Sequence, residues 1–283
     1  VCMCVCPPAD GAVFQVASQF NCLEFPSPSS TPEQGVTNYV YDRTQGPACC
    51  LSCGPATVYR NWLHPREGVR GQTAGNMINN LAEVEELLDN KKHKYFAVQH
   101  GYTLSTDAQL ARLNAVLASQ PALREELKAR VRVGVQFHTQ VTASNWGRDL
   151  LESETPVIVT QVFCSACSVA YSNGSDTNWE PFASLILEAE YEAMLLAALS
   201  AYLERKPPAP PTECRVFLTT IGAGVFGNSI RWVADAIRAA CDKVRRLGLR
   251  MHVCVVCYKD TPDPEIAALD NYFNDGGRSR SLN

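Results

Sequence analysis

The sequence predicts an α/β fold in which helices cover both faces of a mostly parallel or mixed sheet. Strand-like apolar segments alternate with helical segments along the 283 residues. A long helical segment at 182–203 is apolar on most sides, which predicts that it is substantially buried. Near the end of the chain, a strand runs directly into a glycine-rich loop, and an amphipathic helix follows. Ligands in sheets of this kind bind outside the carboxyl ends of the strands.

The first half of the chain contains strand and helix signals in alternation. Pro47 suits the first turn of a helix, where its missing N–H costs nothing. Gly54 and Pro55 should kink that helix or divide it into two. Thr106 and Gln109 form a T-x-x-Q capping box that starts a later helix. In chain order, we predict a strand at 13–20, a loop at 26–35, a strand at 37–42, and helices at 76–90, 106–119 and 121–130.

The second half supplies most of the predicted sheet. Gly248 should end the helix that follows the glycine loop. The proline-rich segment 206–212 is predicted to be a stiff connector. In chain order, we predict strands at 131–137 and 155–166, the long helix at 182–203, a strand at 215–221, a helix at about 229–247, a strand at 251–258 and a disordered tail at about 273–283.

Composition restricts the classes of function. Hydrophobic residues make up 46% and charged residues 19%, which is typical of a globular domain. The net charge of −4 argues against nucleic acid as a partner, because no basic field covers the chain. No apolar run approaches the ~18 residues that a membrane span requires, so no membrane partner is expected. The apolar N-terminal run lacks the positive charges of a signal peptide, which favours a cytoplasmic location.

Cysteines are numerous, and C-x-x-C occurs three times among the thirteen. One interpretation is a zinc site. The other is that these cysteines are small buried side chains in a reducing compartment. Cys164 and Cys167, like Cys254 and Cys257, lie in strand-like segments, where positions i and i+3 point to opposite faces. We therefore expect structural thiols and no metal.

The glycine loop contains G-x-G-x-x-G at Gly222, Gly224 and Gly227. A helix N-terminus offers unpaired N–H groups and a partial positive charge, which stabilise a phosphate. The loop lacks the lysine of a phosphate-binding G-K-[S/T] loop. A dinucleotide fold requires an acid about 20 residues further on, at the end of the next strand. Here the first acid after that strand, Asp260, lies 33 residues past Gly227. Phosphate binding and a simple tight turn both remain open from the loop alone.

In chain order, several segments resemble a macrodomain, the ADP-ribose-binding fold. "QFNCLEF" occupies the place of the Asn-bearing segment, and "YDRTQGPACC" that of the substrate loop. "LILEAEYEAMLLAAL" is similar to the L-x-x-A-Y helix, and "GAGVFG" matches the second phosphate loop, G-x-G-[IV]-[FY]-G. The resemblance implies a macrodomain-like three-layer α/β/α fold with a mixed sheet. It implies one domain over 1–283, with a helical insertion at about 65–130.

More narrowly, "QFNCLE" and "DRTQGPA" resemble divergent macrodomains that remove ADP-ribose from arginine. This resemblance implies a hydrolase that acts on the N-glycosidic bond of mono-ADP-ribosylated protein and needs no cofactor. It assigns catalytic roles to Glu24 and Asp42, which would orient water or the ribose hydroxyls and assist the leaving guanidine. A solvated acid at 24 and a helix cap or an Arg43 partner at 42 are the alternatives.

The same resemblance implies a set of ligand-binding residues. Phe226 would pack on the distal ribose, or else fill the core beneath the loop. Asn21 would bond a ribose hydroxyl, or else be a turn residue at the strand end. Gln45 would bond a ribose hydroxyl or the guanidinium, or else be an ordinary polar loop residue. The full set is Asn21, Thr44, Gln45, Gly46, Ala48, Gly222, Ala223, Gly224, Val225, Phe226, Gly227 and Asn228.

Two other functions stay open at this level: a non-catalytic module that binds ADP-ribose or a nucleotide, and an NAD-dependent oxidoreductase. For Glu188, Glu190 and Glu192, one interpretation is a carboxylate metal site. Their spacing spreads them around a helix with no histidine beside them, so we predict solvated or capping charges.

Overall fold

The computed structural model describes residues 10–204, 214–248, 251–257 and 261–278. Its strands are β1 (Val13–Ala17), β2 (Pro65–Arg66), β3 (Val69–Arg70), β4 (Ala97–Gln99), β5 (Tyr102–Leu104), β6 (Gly134–Gln140), β7 (Ala143–Ser144), β8 (Asp149–Leu150), β9 (Ile158–Cys164), β10 (Cys214–Thr219) and β11 (Met251–Val256). Its helices are α1 (Gln45–Ser52), α2 (Gly54–Val58), α3 (Ala82–Leu87), α4 (Asn90–His93), α5 (Asp107–Ser119), α6 (Pro121–Lys128), α7 (Asp176–Leu203), α8 (Ile230–Arg246) and α9 (Pro264–Arg278).

The central sheet has five strands in the order β11-β10-β1-β9-β6. Neighbouring strands from β11 to β9 are parallel, and β6 pairs antiparallel with β9 at the edge. The short strands form three separate hairpins, β2–β3, β4–β5 and β7–β8. The predicted α/β class with a mixed sheet is therefore confirmed.

Side chains alternate along the strands, so that both faces of the sheet are apolar. Val13, Val162 and Val216 belong to the hydrophobic core on the α7 face. Phe14, Phe163 and Phe217, the next residue on each strand, belong to the core on the opposite face. That second core includes cysteines of α1, so helices cover both faces and the layers are α/β/α.

Local signals place several element boundaries as predicted. α1 ends at Ser52 and α2 begins at Gly54, so the Gly54–Pro55 pair does divide the helix. The Thr106 hydroxyl accepts a hydrogen bond from the Gln109 N–H at the start of α5. The long helix begins at Asp176, six residues earlier than expected.

The strand predicted at 37–42 is wrong. Thr37–Tyr41 forms a 3-10 helix, and Asp42 follows it. The alternating pattern misled because only Tyr39 is buried, whereas Val40 and Tyr41 are exposed. A strand in this sheet would have buried a whole face of alternate residues.

The region predicted as a helical insertion contains hairpins as well as helices. The β2–β3 hairpin precedes the short helices α3 and α4, and the β4–β5 hairpin follows them. At the other end, α9 covers 273–278, the start of the segment predicted to be a disordered tail. The connector predicted at 206–212 lies outside the described residues. No helix within the described ranges is long and apolar enough to cross a membrane.

Candidate functional site

The carboxyl ends of three parallel strands meet at one edge of the sheet. Ala17 at the end of β1 pairs with Cys164 at the end of β9. The Gln15 side-chain oxygen of β1 accepts a hydrogen bond of 2.9 Å from the N–H of Thr219, which ends β10. The loops at 18–25 and 220–229, far apart in the chain, therefore leave the sheet at the same edge. Both predicted groups of site residues lie in or beside these loops.

The glycine loop is a tight turn whose backbone conformation requires glycine at its first and last glycine positions, Gly222 and Gly227. Gly222 and Gly227 have φ angles of 77° and 74°, which side chains rarely adopt. A Cβ on Gly222 would lie 2.4 Å from the Ala166 methyl group, and one on Gly227 would lie 2.9 Å from that of Ala170. The Asn228 amide fastens the loop by donating to the Cys167 carbonyl at 2.7 Å.

The middle of the loop is open. The backbone N–H groups of Gly224, Val225 and Phe226 donate to no acceptor among the residues that the structure describes. A Cβ on Gly224 would meet nothing within 4 Å, and Val225 is exposed. α8 begins directly after the loop with no acidic residue in its first turn. Free N–H groups beside a helix N-terminus form a site for an anion such as a phosphate.

Phe226 belongs to an aromatic cluster, defined here as Tyr102, Tyr171 and Phe226. The Phe226 ring centroid lies 5.4 Å from that of Tyr102 and 5.7 Å from that of Tyr171. Phe226 and Tyr102 are buried, whereas Tyr171 is 38% exposed. The partly exposed face of the cluster beside the loop therefore belongs to Tyr171, which the sequence analysis missed. Its position just after a strand that ends at this edge was the available signal.

Glu24 is buried at the end of the loop that follows β1. Its N–H donates to the Tyr39 hydroxyl at 2.9 Å, and its Oε1 has no hydrogen-bond partner among the described residues. Burial, reinforced by the nearby charge of Asp42 and opposed by Arg60, raises the pKa of the Glu24 carboxyl well above its usual range. A carboxyl with a raised pKa holds its proton to a higher pH than an exposed carboxyl does, which suits it to donating that proton.

Gly46 provides the space that the Glu24 carboxyl occupies. A Cβ at position 46 would lie 2.4 Å from Glu24 Oε1 and 2.2 Å from the Ala17 carbonyl oxygen. Gly46 lies in the first turn of α1, as does Gln45. The Glu24 carboxyl thus packs directly against the start of this helix, and Ala48 is buried one turn further on.

Asp42 and Thr44 lie at the more accessible side of this helix start. Asp42 is half-buried, and its Oδ1 accepts a hydrogen bond of 2.9 Å from the Thr44 N–H. Thr44 is the exposed residue before α1, and its side chain does not cap the helix. Asp42 therefore has a local structural contact, but the residue at the N-cap position of α1 is Thr44, and no ion pair joins Asp42 to Arg43 among the described residues.

The amides of Gln45 and Asn21 are engaged inside the protein. Gln45 accepts from the Ala17 N–H at 2.7 Å and donates to the Gln15 carbonyl at 2.8 Å, which ties α1 to β1. Asn21 is fully buried, accepts from the Leu23 N–H and donates to the His100 carbonyl, both at 3.0 Å. These contacts hold the two loops in position, and the predicted ribose contacts of both residues remain predictions.

The hairpin β4–β5, in the region predicted to be an insertion, completes the site. The Phe20 N–H donates to the Gly101 carbonyl at 3.1 Å, and a Cβ on Gly101 would lie 2.7 Å from Gln19 Cβ. The Tyr102 hydroxyl donates to the Phe25 carbonyl at 2.6 Å. Tyr102 thus bonds to the residue next to Glu24 and also packs on Phe226. It connects the Glu24 loop to the glycine loop.

Arg60 is a second residue that the sequence analysis missed. It is buried, and its guanidinium donates to the Cys22 carbonyl at 2.6 Å and to Gln136 Oε1 at 2.7 Å. The guanidinium also lies 3.9 Å from the centroid of the Phe163 ring. No acidic side chain forms a salt bridge with Arg60 among the described residues. These contacts fix the guanidinium in place, and its positive charge opposes the rise in the Glu24 pKa that burial causes.

The prediction of three solvated acids on α7 is wrong for one of them. Glu188 pairs with Arg124 and Lys128, and Glu192 with Lys243, at the surface. Glu190 is fully buried, because α7 lies between the sheet and α8.

The cysteines in the described ranges are free thiols, most of them buried. Burial raises the pKa of Cys22 and of Cys50 to about 11, so both stay protonated at neutral pH. The residues that the structure describes contain no group of three or more His, Cys, Asp or Glu side chains that would hold a metal ion.

No protein-family model matches the chain, and no curated protein matches it. Among solved structures, it is similar to poly(ADP-ribose) glycohydrolase from Deinococcus radiodurans in complex with ADP-ribose, with 18% identity and a TM-score of 0.36. It is also similar to poly(ADP-ribose) glycohydrolase from Thermomonospora curvata bound to the inhibitor ADP-HPD, with 20% identity and a TM-score of 0.35. The matches cover 50% and 56% of this chain, and 52% and 57% of the two structures. The chain therefore spans little more than half the length of the structures that it matches.

Proposed function

We propose that this protein is a hydrolase that removes mono-ADP-ribose from modified protein side chains, with arginine-linked ADP-ribose as its substrate. One observation carries the proposal: a loop of free N–H groups and a buried carboxyl lie at the same edge of the sheet. Tyr102 joins them, since it packs on Phe226 and bonds to the residue beside Glu24. The sequence resemblance to arginine-specific macrodomains supports the choice of linkage.

In this proposal, the diphosphate binds the N–H groups of Gly224, Val225 and Phe226. A ring of the ligand packs on the exposed face of Tyr171, beside the loop. Phe226 supports that face from below, because it is itself buried.

The chemistry follows from the state of Glu24. Cleavage breaks the bond between the anomeric carbon of the ribose and a guanidine nitrogen, while a water oxygen bonds to that carbon. The protonated Glu24 carboxyl donates its proton to the departing guanidine, and Asp42, which is half-buried, orients the water. The proton that the water loses returns to Glu24.

A non-catalytic module that binds ADP-ribose is the second candidate, and the burial of Glu24 favours it. The residue is only 8% exposed and packs against Gly46, so substrate has little access to its carboxyl. The same edge of the sheet would then bind a nucleotide without reacting with it.

Calorimetry with ADP-ribose, NAD and AMP, followed by hydrolysis assays on Arg-, Asp/Glu- and Ser-linked substrates, separates these functions. Gly224→Val should weaken ADP-ribose binding about tenfold, since a side chain there would block the free N–H groups. Gly75→Val is the matched control, because a Cβ at position 75 also meets nothing within 4 Å.

Absence of ADP-ribose binding would overturn the proposal. Binding without release from any linkage would establish the binding module. Tighter binding of NADH than of ADP-ribose, with hydride transfer to a carbonyl substrate, would establish an oxidoreductase.

A further inference from the structure

Exposed apolar side chains are concentrated in one part of the chain, next to the site. Two short segments carry them: the 3-10 helix Thr37–Tyr41, and α2 together with the π-helical turn Tyr59–Leu63 that follows it. We define the aromatic rim as Val40, Tyr41, Val58, Tyr59, Trp62 and Leu63, all of which are exposed.

The two segments that carry the aromatic rim approach each other just before the 3-10 helix. Val58 and Trp62, like Tyr59 and Leu63, are four residues apart, which puts each pair on one side of a helical turn. The Trp62 ring lies 3.3 Å from where a Cβ on Gly35 would be, two residues before the 3-10 helix starts. The two segments therefore adjoin at Trp62. Exposed apolar surface of this extent marks an interaction site more often than isolated apolar residues do.

The aromatic rim also adjoins the reactive end of the site. Tyr41 is 84% exposed and directly precedes Asp42. Tyr39, in the same 3-10 helix, receives the hydrogen bond from the Glu24 N–H. From the π-helical turn, Arg60 reaches the Cys22 carbonyl, two residues before Glu24. A molecule bound on the rim would lie beside the point where the ribose bond is cleaved.

The charge around the rim indicates what kind of molecule fits it. Apart from buried Arg60, residues 40–70 contain three arginines against two acids, Asp42 and Glu67, in a chain whose net charge is −4. Arg43 and Arg70 are exposed, and neither forms an ion pair within the described part of the chain. Exposed, unpaired cations around an aromatic surface favour an acidic polypeptide as the partner.

We propose that the aromatic rim binds the polypeptide that carries the ADP-ribosylated side chain, with a preference for acidic residues beside the modified position. This inference rests on the proposed function, because it assigns the protein part of the same substrate. Tyr41 and Leu63 would contact the polypeptide, while the glycine loop holds the ADP-ribose unit.

The test compares two substrates: an ADP-ribosylated protein, and free ADP-ribosylarginine, which has no polypeptide. The double variant Tyr41→Ser/Leu63→Ser should raise the KM for the protein about tenfold, with kcat unchanged. Its kcat/KM on ADP-ribosylarginine should equal that of the wild type. Leu203→Ser, at the exposed end of α7, is the matched control and should change neither value. Modified peptides with flanking aspartates should be better substrates than peptides with flanking lysines.

An unchanged KM for the protein in the double variant would overturn this inference alone. Equal losses on both substrates would also overturn it, because the rim would then support the site rather than bind polypeptide. A concentration-dependent change in sedimentation caused by the double variant would assign the rim to contacts between copies of this chain. If the wild type releases ADP-ribose from neither substrate, the proposed function fails, and this inference fails with it.

Discussion

Glu24 and Glu190 are both buried carboxyl groups, but the protein encloses them in different surroundings. Glu24 follows a strand at the edge of the sheet where loops meet, with Asp42 and Arg60 close enough to act on its charge. Glu190 lies in the middle of α7, near the Ser165 N–H and the Cys164 thiol, which offset only part of the cost of burial. Burial raises the pKa of both carboxyls well above the usual range.

The comparison shows that a buried, protonated carboxyl is not sufficient evidence of a catalytic group. What distinguishes Glu24 is that half-buried Asp42 lies close enough to act on its charge, at the edge where α/β sheets bind ligands. Glu190 also lies near the end of a strand, but it is fully buried. Glu190 has no such access, and a carboxyl at its position reduces stability without a visible function. Separate substitution of the two residues tests this distinction directly.

The largest effect is expected from Glu24→Gln in the hydrolysis of ADP-ribosylarginine. Loss of the proton donor should lower kcat by about 10²–10³-fold, while ADP-ribose affinity measured by calorimetry is retained. Glu190→Gln should leave kcat unchanged, since its carboxyl is enclosed between α7 and the sheet. Equal activity in the two variants would contradict the distinction.

The space around Glu24 gives the next largest effect. In Gly46→Ala, the new methyl group would overlap the Ala17 carbonyl oxygen and the Glu24 carboxyl, so we expect a loss of about 3 kcal/mol in the free energy of unfolding. Urea denaturation measures this. Gly224→Ala is the control and should leave stability unchanged, because its methyl group would point into open space. Equal stabilities for the two variants would show that the Glu24 carboxyl is not confined by Gly46.

The third largest effect is expected in how the free energy of unfolding changes with pH, because the Glu190 carboxyl is buried. In the unfolded chain its carboxyl ionises above about pH 4.3, whereas the folded protein keeps the proton because its pKa is raised. Stability is therefore greatest below that pH and falls as the pH rises towards the folded pKa, by up to about 1.4 kcal/mol per pH unit.

Glu190→Gln removes this loss, so its stability relative to the wild type should increase between pH 5 and pH 7 in urea titrations. The gain should be small at pH 4, where the wild-type carboxyl is protonated in both states. A difference that stays constant across this range would mean that Glu190 is ionised in the folded protein.

The smallest effect is expected from Glu192→Gln, which lies two residues after Glu190 in α7. Its pair with Lys243 is partly solvated, so the free energy of unfolding should fall by no more than about 0.5 kcal/mol. Thermal denaturation at low and high salt would measure it. If Glu192→Gln lowered the free energy of unfolding more than Gly46→Ala does, the contrast between buried Glu190 and partly solvated Glu192 would be wrong.

The features that could be predicted from sequence depend on local chemistry. The Thr106 cap, the division at Gly54 and the glycine loop each require particular residues at fixed spacing, and the structure has all three elements. The strand at 37–42 failed because an alternating pattern alone does not reveal whether one face will be buried. The helix pattern of α7 similarly could not reveal that Glu190 faces the end of β9, near Cys164 and Ser165, while Glu192 pairs with Lys243 of α8.

The rest of the candidate site depends on contacts between distant parts of the chain. Tyr102 reaches Phe25 and Phe226 only after the β4–β5 hairpin has packed on the Glu24 loop. In the sequence, Arg60 looks like any other arginine in a helical segment. Its hydrogen bond to the Cys22 carbonyl forms only in the folded chain. Neither residue carries a motif of its own, so sequence spacing gives no signal for them.

The position of β1 in the sheet has a consequence for how the protein is made. β1 lies between β9 and β10, so an apolar strand near the start of the chain pairs only with strands translated much later. Ser18 and Cys164 are 146 positions apart, and Gln15 and Thr219 are 204 apart. Contacts of such long sequence separation form slowly. During synthesis, β1 waits unpaired until its partner strands have left the ribosome, and chaperones have their greatest opportunity to bind it then.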